Sequence, residues 1–177
     1  MRINFYREFK NTVQNNAGKI AVYDGERSIS FGDLNLLETK YASALFNVSK
    51  QAYDKPVGVF LPKCIESIAA DLAIIHTGNI YMNLDVKYPV ERLRNIFNVI
   101  QPVCIITNQK YAGIFNEVDS NMPLLIVDAD LDKTDNSVLS ILEDRLLKRI
   151  DTDLLCIINT SGSTGTPKGV ALVHRGF

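Results

Sequence analysis

The twelve residues Asn159-Thr160-Ser161-Gly162-Ser163-Thr164-Gly165-Thr166-Pro167-Lys168-Gly169-Val170 gather the groups that can handle an anionic ligand. Gly162, Gly165 and Gly169 permit tight turns and close backbone approach. The hydroxyls of Ser161, Ser163 and Thr164 add donors for phosphate oxygens. Lys168 brings a mobile point charge suited to a polyphosphate tail, and Pro167 fixes the backbone just before it. The apolar run Leu154-Leu155-Cys156-Ile157-Ile158 ahead of them reads as a strand covered on both faces. Together they describe a phosphate-gripping loop hung from the end of a buried strand. A Walker A loop is excluded, because five residues beyond Gly162 stands Pro167 and five beyond Gly165 stands Val170, where that motif needs glycine. The dinucleotide pattern Gly-x-Gly-x-x-Gly is absent as well. Composition alone fits an ordinary polar hairpin or linker, so the order of the residues carries the reading.

In that order, Thr160 to Val170 followed by His174-Arg175-Gly176 resembles the signature loop of adenylate-forming enzymes, most of all that of nonribosomal peptide synthetase adenylation domains. Ile29-Ser30-Phe31-Gly32-Asp33-Leu34-Asn35 is similar to the first core motif of that family. Gly78-Asn79-Ile80-Tyr81-Met82-Asn83-Leu84-Asp85, with Tyr88-Pro89 and Arg92 after it, is similar to the second, and Tyr-Pro-x-x-Arg favours the peptide-synthetase branch over the acyl-CoA synthetases. The chain departs from the family pattern at Asn159, where an aromatic residue is usual, at His76-Thr77 in place of Lys-Ala, and at Asn79-Ile80 and Met82-Asn83.

The resemblance implies a chemistry. A carboxylate, that of an amino acid in the first instance, attacks the α-phosphate of ATP, pyrophosphate leaves with Mg2+, and the acyl group passes to a phosphopantetheine thiol on a carrier protein. It also implies roles: phosphate contacts from Thr160, Ser161, Gly162, Ser163, Thr164, Gly165 and Gly169, charge neutralisation by Lys168, and His174 as a candidate near the nucleotide. The family places its substrate pocket, its magnesium-binding acid and its small C-terminal domain after this loop. Residues 1–177 are therefore expected to be the opening part of an adenylation domain, cut short after the glycine loop and inactive alone. A non-catalytic remnant acting as a binding fragment, or a segment of an acyl-CoA synthetase-like ligase, are the alternatives.

Composition bounds these readings. The chain has 177 residues, 46% of them hydrophobic and 22% charged, with a net charge of −1. That is globular, and it carries no basic stripe for nucleic acid. The longest apolar run, broken by Asp71, is too short for a bilayer, and the charged N-terminus has no signal core, so a cytoplasmic location is expected and no membrane partner. Cys64, Cys104 and Cys156 are odd in number and widely spaced, which suits core residues rather than disulfides or a metal site.

Positioning elements follow from periodicity. Helical spacing covers residues 3–14, and two strands, 20–23 and 27–30, flank the turn dipeptide Asp24-Gly25. Ser30 and Asp33 form a capping pattern that opens a helix through Leu34, Leu37, Tyr41, Leu45 and Val48. Strands at 57–60, 80–84, 103–107, 124–127 and 154–158 alternate with helices from Pro62 to Gly78, from Pro89 to Ile100 and over about 138–148. The alternation predicts an α/β fold, a sheet with helices on both faces, with ligands gathering beyond the strand carboxyl ends. Asp128 to Asn136 fails as an EF-hand loop, since Lys133 and Leu139 stand where Gly and Glu are needed, and reads as a solvated linker. His76 reads as satisfying a carbonyl or helix end, and Asp85 as a turn-forming carboxylate.

Overall fold

A computed structural model describes residues 4–131, 134–160 and 168–176. Helix α1 (Phe5–Asn16) precedes a separate hairpin of β1 (Ile20–Asp24) and β2 (Arg27–Ser30), whose turn holds Gly25 at φ +60°. Ser30 then caps α2 (Phe31–Val48): its hydroxyl accepts the Asp33 N–H at 3.1 Å and donates to the Asp33 carboxylate at 2.7 Å. Alternation follows as β3 (Pro56–Phe60), α3 (Ile65–His76), β4 (Ile80–Asn83), α4 (Val90–Ile100) and β5 (Ile105–Thr107). Two short helical turns, α5 (Gln109–Ala112) and α6 (Phe115–Val118), lead to β6 (Leu124–Ile126) and α7 (Asn136–Lys148). The described chain closes with β7 (Leu154–Thr160), β8 (Lys168–Val173) and a 3-10 turn, His174–Gly176.

The main sheet runs β6-β5-β3-β4-β7-β8, parallel throughout except for the antiparallel β7–β8 pair. Side chains alternate across it. Val57, Val59 and Ile106 face α2 and α3, while Phe60, Met82 and Ile105 face α4 and α6, where they bury Leu93, Ile96, Phe97 and Phe115. A further cluster joins Tyr6 and Phe9 of α1, Leu34 and Tyr41 of α2, Leu72 of α3 and Leu142 and Leu146 of α7. Helices on both faces of an α/β sheet are therefore what the alternation of periods predicts.

Connectivity explains where a crevice opens. From β3 the chain passes through α3 to β4 on one side; from β4 it crosses back over β3 through α4 to reach β5 on the other. Right-handed crossovers in opposite directions put α3 and α4 on opposite faces. The segments leaving β3 and β4 therefore diverge, which leaves a gap at the carboxyl edge of the sheet.

Several boundaries differ from expectation. Pro62 does not start α3, which begins three residues later with Cys64 as its cap, where the Ser67 hydroxyl accepts the Cys64 N–H at 3.2 Å. β5 is shorter than 103–107 because Val103 and Cys104 only lead into it. Strand β8 was not anticipated. His76 ends α3 among side chains rather than carbonyls: Tyr6 donates its hydroxyl to Glu38 at 2.7 Å, and His76 Nδ1 lies 2.8 Å from that hydroxyl and 3.1 Å from the other Glu38 oxygen. The tyrosine proton is already given to Glu38, so Nδ1 must carry the hydrogen that bridges them. All three residues are buried, and the tyrosine and imidazole rings stack at 4.4 Å.

Candidate functional site

Strand β7 carries the glycine segment to the carboxyl edge of the parallel strands. It pairs in parallel with β4 through Tyr81 and Cys156, and antiparallel with β8 along its length. The register sets Thr160 opposite Lys168 and Asn159 opposite Gly169, so the connection between the two strands leaves and returns at that edge. Ser161, Gly162, Ser163, Thr164 and Gly165 lie outside the described residues. Thr160 and Lys168 are the first residues on either side of the connection, at a spacing of roughly 5 Å for facing α-carbons.

Thr160 belongs to β7, and Lys168 and Gly169 to β8, so they sit in strands rather than in a loop. Val170, Leu172 and Val173 suit an extended backbone. Gly169 has a packing reason of its own: a Cβ there would stand 3.0 Å from both Ile100 Cδ1 and Ile157 Cγ2. Asn159, beside it, buries an amide whose nitrogen and oxygen find no partner among the described residues. This is the position where the family pattern has an aromatic ring.

His174 is not brought to the loop. β8 returns antiparallel and ends beside the start of β7, where the His174 N–H donates to the Asp153 carbonyl at 3.1 Å. Six residue steps of β7 put it roughly 20 Å from Thr160. There its Nδ1 accepts the Phe5 N–H at 3.3 Å, and burial, then the nearby Arg149 charge, hold its pKa below the usual imidazole range. A neutral acceptor pinning α1 is a structural part.

At the same carboxyl edge, between the segments leaving β3 and β4, lies a cavity of about 840 Å³. Pro62, Lys63 and Cys64 wall one side, Asp85, Val86 and Tyr88 the other, and Tyr23 of the β1–β2 hairpin adds a rim. Asp85 Oδ1 accepts the Lys87 N–H at 2.9 Å, the turn role expected of it. At the inner wall is Asp71, whose Oδ2 accepts from Asn83 Nδ2 at 3.0 Å while its shielded Oδ1 finds no partner among the described residues. Burial pushes this carboxyl up to about 7. The sequence marked Asp71 only as a break in an apolar run; a carboxylate in mid-helix, beyond the first-turn Glu66 of Ile65–His76, was the available signal.

Among the described residues no group of three or more His, Cys, Asp or Glu could hold a metal ion. The Mg2+ that the resemblance implies thus has no ligand set among them. All three cysteines are free, and no helix of the described chain is long and apolar enough to cross a membrane.

Known proteins share this fold. Tyrocidine synthase 1 of Brevibacillus parabrevis is 30% identical over 160 residues, which is 90% of this chain and 14% of that protein. Phosphinothricin tripeptide synthetase PhsC of Streptomyces viridochromogenes is 33% identical over 158 residues, 89% of this chain and 14% of that one. The chain thus spans about one seventh of these relatives. Among solved structures, VinN with 3-methylaspartate superposes with a TM-score of 0.76 at 20% identity, over 98% of this chain and 49% of VinN. The anthranilate CoA ligase AuaEII in complex with anthranoyl-AMP superposes with a TM-score of 0.79 at 16% identity, over 98% of this chain and 35% of that one. At these identities the structures speak for a shared fold, covering half or less of each neighbour. The model of the AMP-binding enzyme family matches residues 9–177, and the chain belongs to that family.

Proposed function

We propose that this chain is the phosphate-binding opening part of an adenylation domain, acting within a larger polypeptide that activates an amino acid as its acyl adenylate. The observation that carries the reading is the family's glycine segment joining β7 to β8 at the carboxyl edge of a parallel sheet. There a carboxylate oxygen attacks the α-phosphorus of ATP, the bond to the bridging oxygen breaks, and pyrophosphate departs with the electron pair. This chain contributes Thr160, Ser161, Gly162, Ser163, Thr164 and Gly165 as donors to the departing phosphates, and Lys168 as the charge that offsets theirs. Preorganised donors need no reorientation as that charge develops. Magnesium, where bound, would further neutralise the phosphates. A phosphopantetheine thiol on a carrier protein then takes the acyl group. The peptide-synthetase relatives favour an amino acid and a carrier over other acids and free thiols.

The test is amino-acid-dependent pyrophosphate exchange in the polypeptide that contains this segment. Lys168→Ala should slow it by about 10²-fold, the scale for losing one preorganised charge-stabilising group. Unchanged exchange in that variant sinks the assignment of Lys168. A second reading, a ligase that hands its acyl group to coenzyme A, is favoured by the similarity in fold to AuaEII. It predicts coenzyme A thioester release without a carrier domain, which the first reading does not.

A further inference from the structure

We propose that the crevice between β3 and β4 is a second ligand site, which takes a small organic amine with an apolar body and holds its ammonium group against Asp71. The site does not rest on the adenylation reading, since its lining among the described residues comes from the β1–β2 hairpin, α3 and the segments leaving β3 and β4.

Three observations converge. The cavity, about 840 Å³, has the size of a small-molecule pocket and stands at the switch point of the sheet, where open α/β folds gather ligands. Its walls are largely apolar, with Leu61, Ile68, Leu84 and Val86 offering a surface for a hydrocarbon or aromatic body. The carboxyl at its inner wall is half satisfied: Asn83 donates to Oδ2, and Oδ1 finds no partner among the described residues. A buried carboxylate needs several donors or a cation. Among the described residues Asp71 forms no ion pair, although Lys63 and Lys87 line the same crevice.

Charge chooses the ligand class. At pH 8 a carboxyl pushed up to about 7 is mostly ionised, so the group facing the ligand is an anion in an apolar wall. An ammonium offers three donors and the opposite charge, enough to reach Oδ2 beside Asn83 and, with a turn of the carboxyl, Oδ1. A neutral hydroxyl offers one donor and no charge. Lys63 and Lys87 are exposed, so the charge at the inner wall against which a ligand's head group would rest is that of Asp71.

The experiment is titration of the 177-residue chain at pH 8 with phenethylamine and with 2-phenylethanol, followed by amide shifts in two-dimensional NMR. The expected result is saturable, fast-exchange shifts confined to residues 22–24, 61–71 and 83–88, with the alcohol binding about 10-fold or more weakly, the worth of one charge-assisted hydrogen bond. Asp71→Asn should reduce amine binding to the level of the alcohol. Ile68→Trp, placed at an exposed position on the wall, should block both probes while leaving the rest of the spectrum in place. Equal affinity for amine and alcohol, undiminished binding in Asp71→Asn, or shifts scattered over the surface would each overturn the proposal. The comparison of probes on the unsubstituted chain stands even where a variant fails to fold.

Discussion

Asp71→Asn should stabilise the chain, and by an amount that depends on pH. Raising a carboxyl from its ordinary 3.8 to about 7 means the folded state holds a proton that the unfolded state has released. Below pH 3.8 both states are protonated and the burial has no electrostatic penalty. Between there and about pH 7 folding must take up a proton, and stability falls by about 1.4 kcal/mol per pH unit. Above about 7 both states are ionised and the loss is complete, roughly 4 kcal/mol. Asparagine has the same shape and keeps an oxygen to accept from Asn83 Nδ2, but it has no proton to exchange.

The assay is urea unfolding of both proteins at several pH values, read by far-ultraviolet circular dichroism because the chain has no tryptophan. The difference in stability, variant minus parent, isolates Asp71, since every other titrating group is shared. It should rise by about 1.4 kcal/mol per pH unit from about pH 4.5 to 6.5 and level off by about pH 8. A difference that stays flat over that range refutes the reasoning, because it would mean Asp71 titrates alike in both states.

Other outcomes are fixed by geometry. Gly78 sits at φ +77°, and a Cβ there would lie 2.6 Å from the Tyr53 ring, which Arg145 and Arg149 flank at 5.3 Å and 4.9 Å. Gly78→Ala should therefore cost about 2–4 kcal/mol through strain and overpacking, measured as a fall in the urea midpoint. Tyr6→Phe removes the hydroxyl that bridges Glu38 and His76 without opening a cavity, and should cost about 1–3 kcal/mol by the same measurement. In the polypeptide containing this segment, Gly165→Val should raise the KM for ATP in pyrophosphate exchange by blocking close backbone approach; unchanged kinetics would remove Gly165 from the phosphate cradle.

The layered fold was legible because its signals are local. Apolar runs such as Val57 to Phe60 and the amphipathic stripe of α2 announce elements whatever surrounds them. The cap at Ser30 and the turn at Asp85 fell where side-chain hydrogen bonding to the backbone predicts, and the Asp24-Gly25 turn fell where glycine supplies a positive φ. What stayed hidden depends on partners remote in sequence. Nothing near His76 reveals that Tyr6 and Glu38 will close around it, 70 and 38 residues away. Gly169 read as a ligand-approach glycine, but Ile100 and Ile157 supply a packing reason that only the β7–β8 pairing exposes. The same pairing removes His174 to the opposite edge, because a short stretch after a loop reads alike whether it returns as a strand or proceeds as a helix. Asp71 and Asn83 meet across a helix and a strand, so neither alone predicts the crevice they share.

That β8 follows the glycine segment also bears on how phosphate would be held. In loops that lead into a helix, the N-terminal N–H groups and the helix dipole supply part of the positive field. Here Lys168 to Val173 is an antiparallel strand, and sheets contribute little net dipole. In the proposed reading the field at the departing phosphates would then come from the segment's own N–H groups, its hydroxyls and the Lys168 charge. Thr160 and Lys168 are paired in register where the two strands meet the connection. With no helix end among the described residues of this hairpin to share the task, loss of the Lys168 charge should show in the rate of pyrophosphate departure. Loss of a single hydroxyl, Ser161→Ala or Ser163→Ala, should show far less, because its neighbours remain to donate.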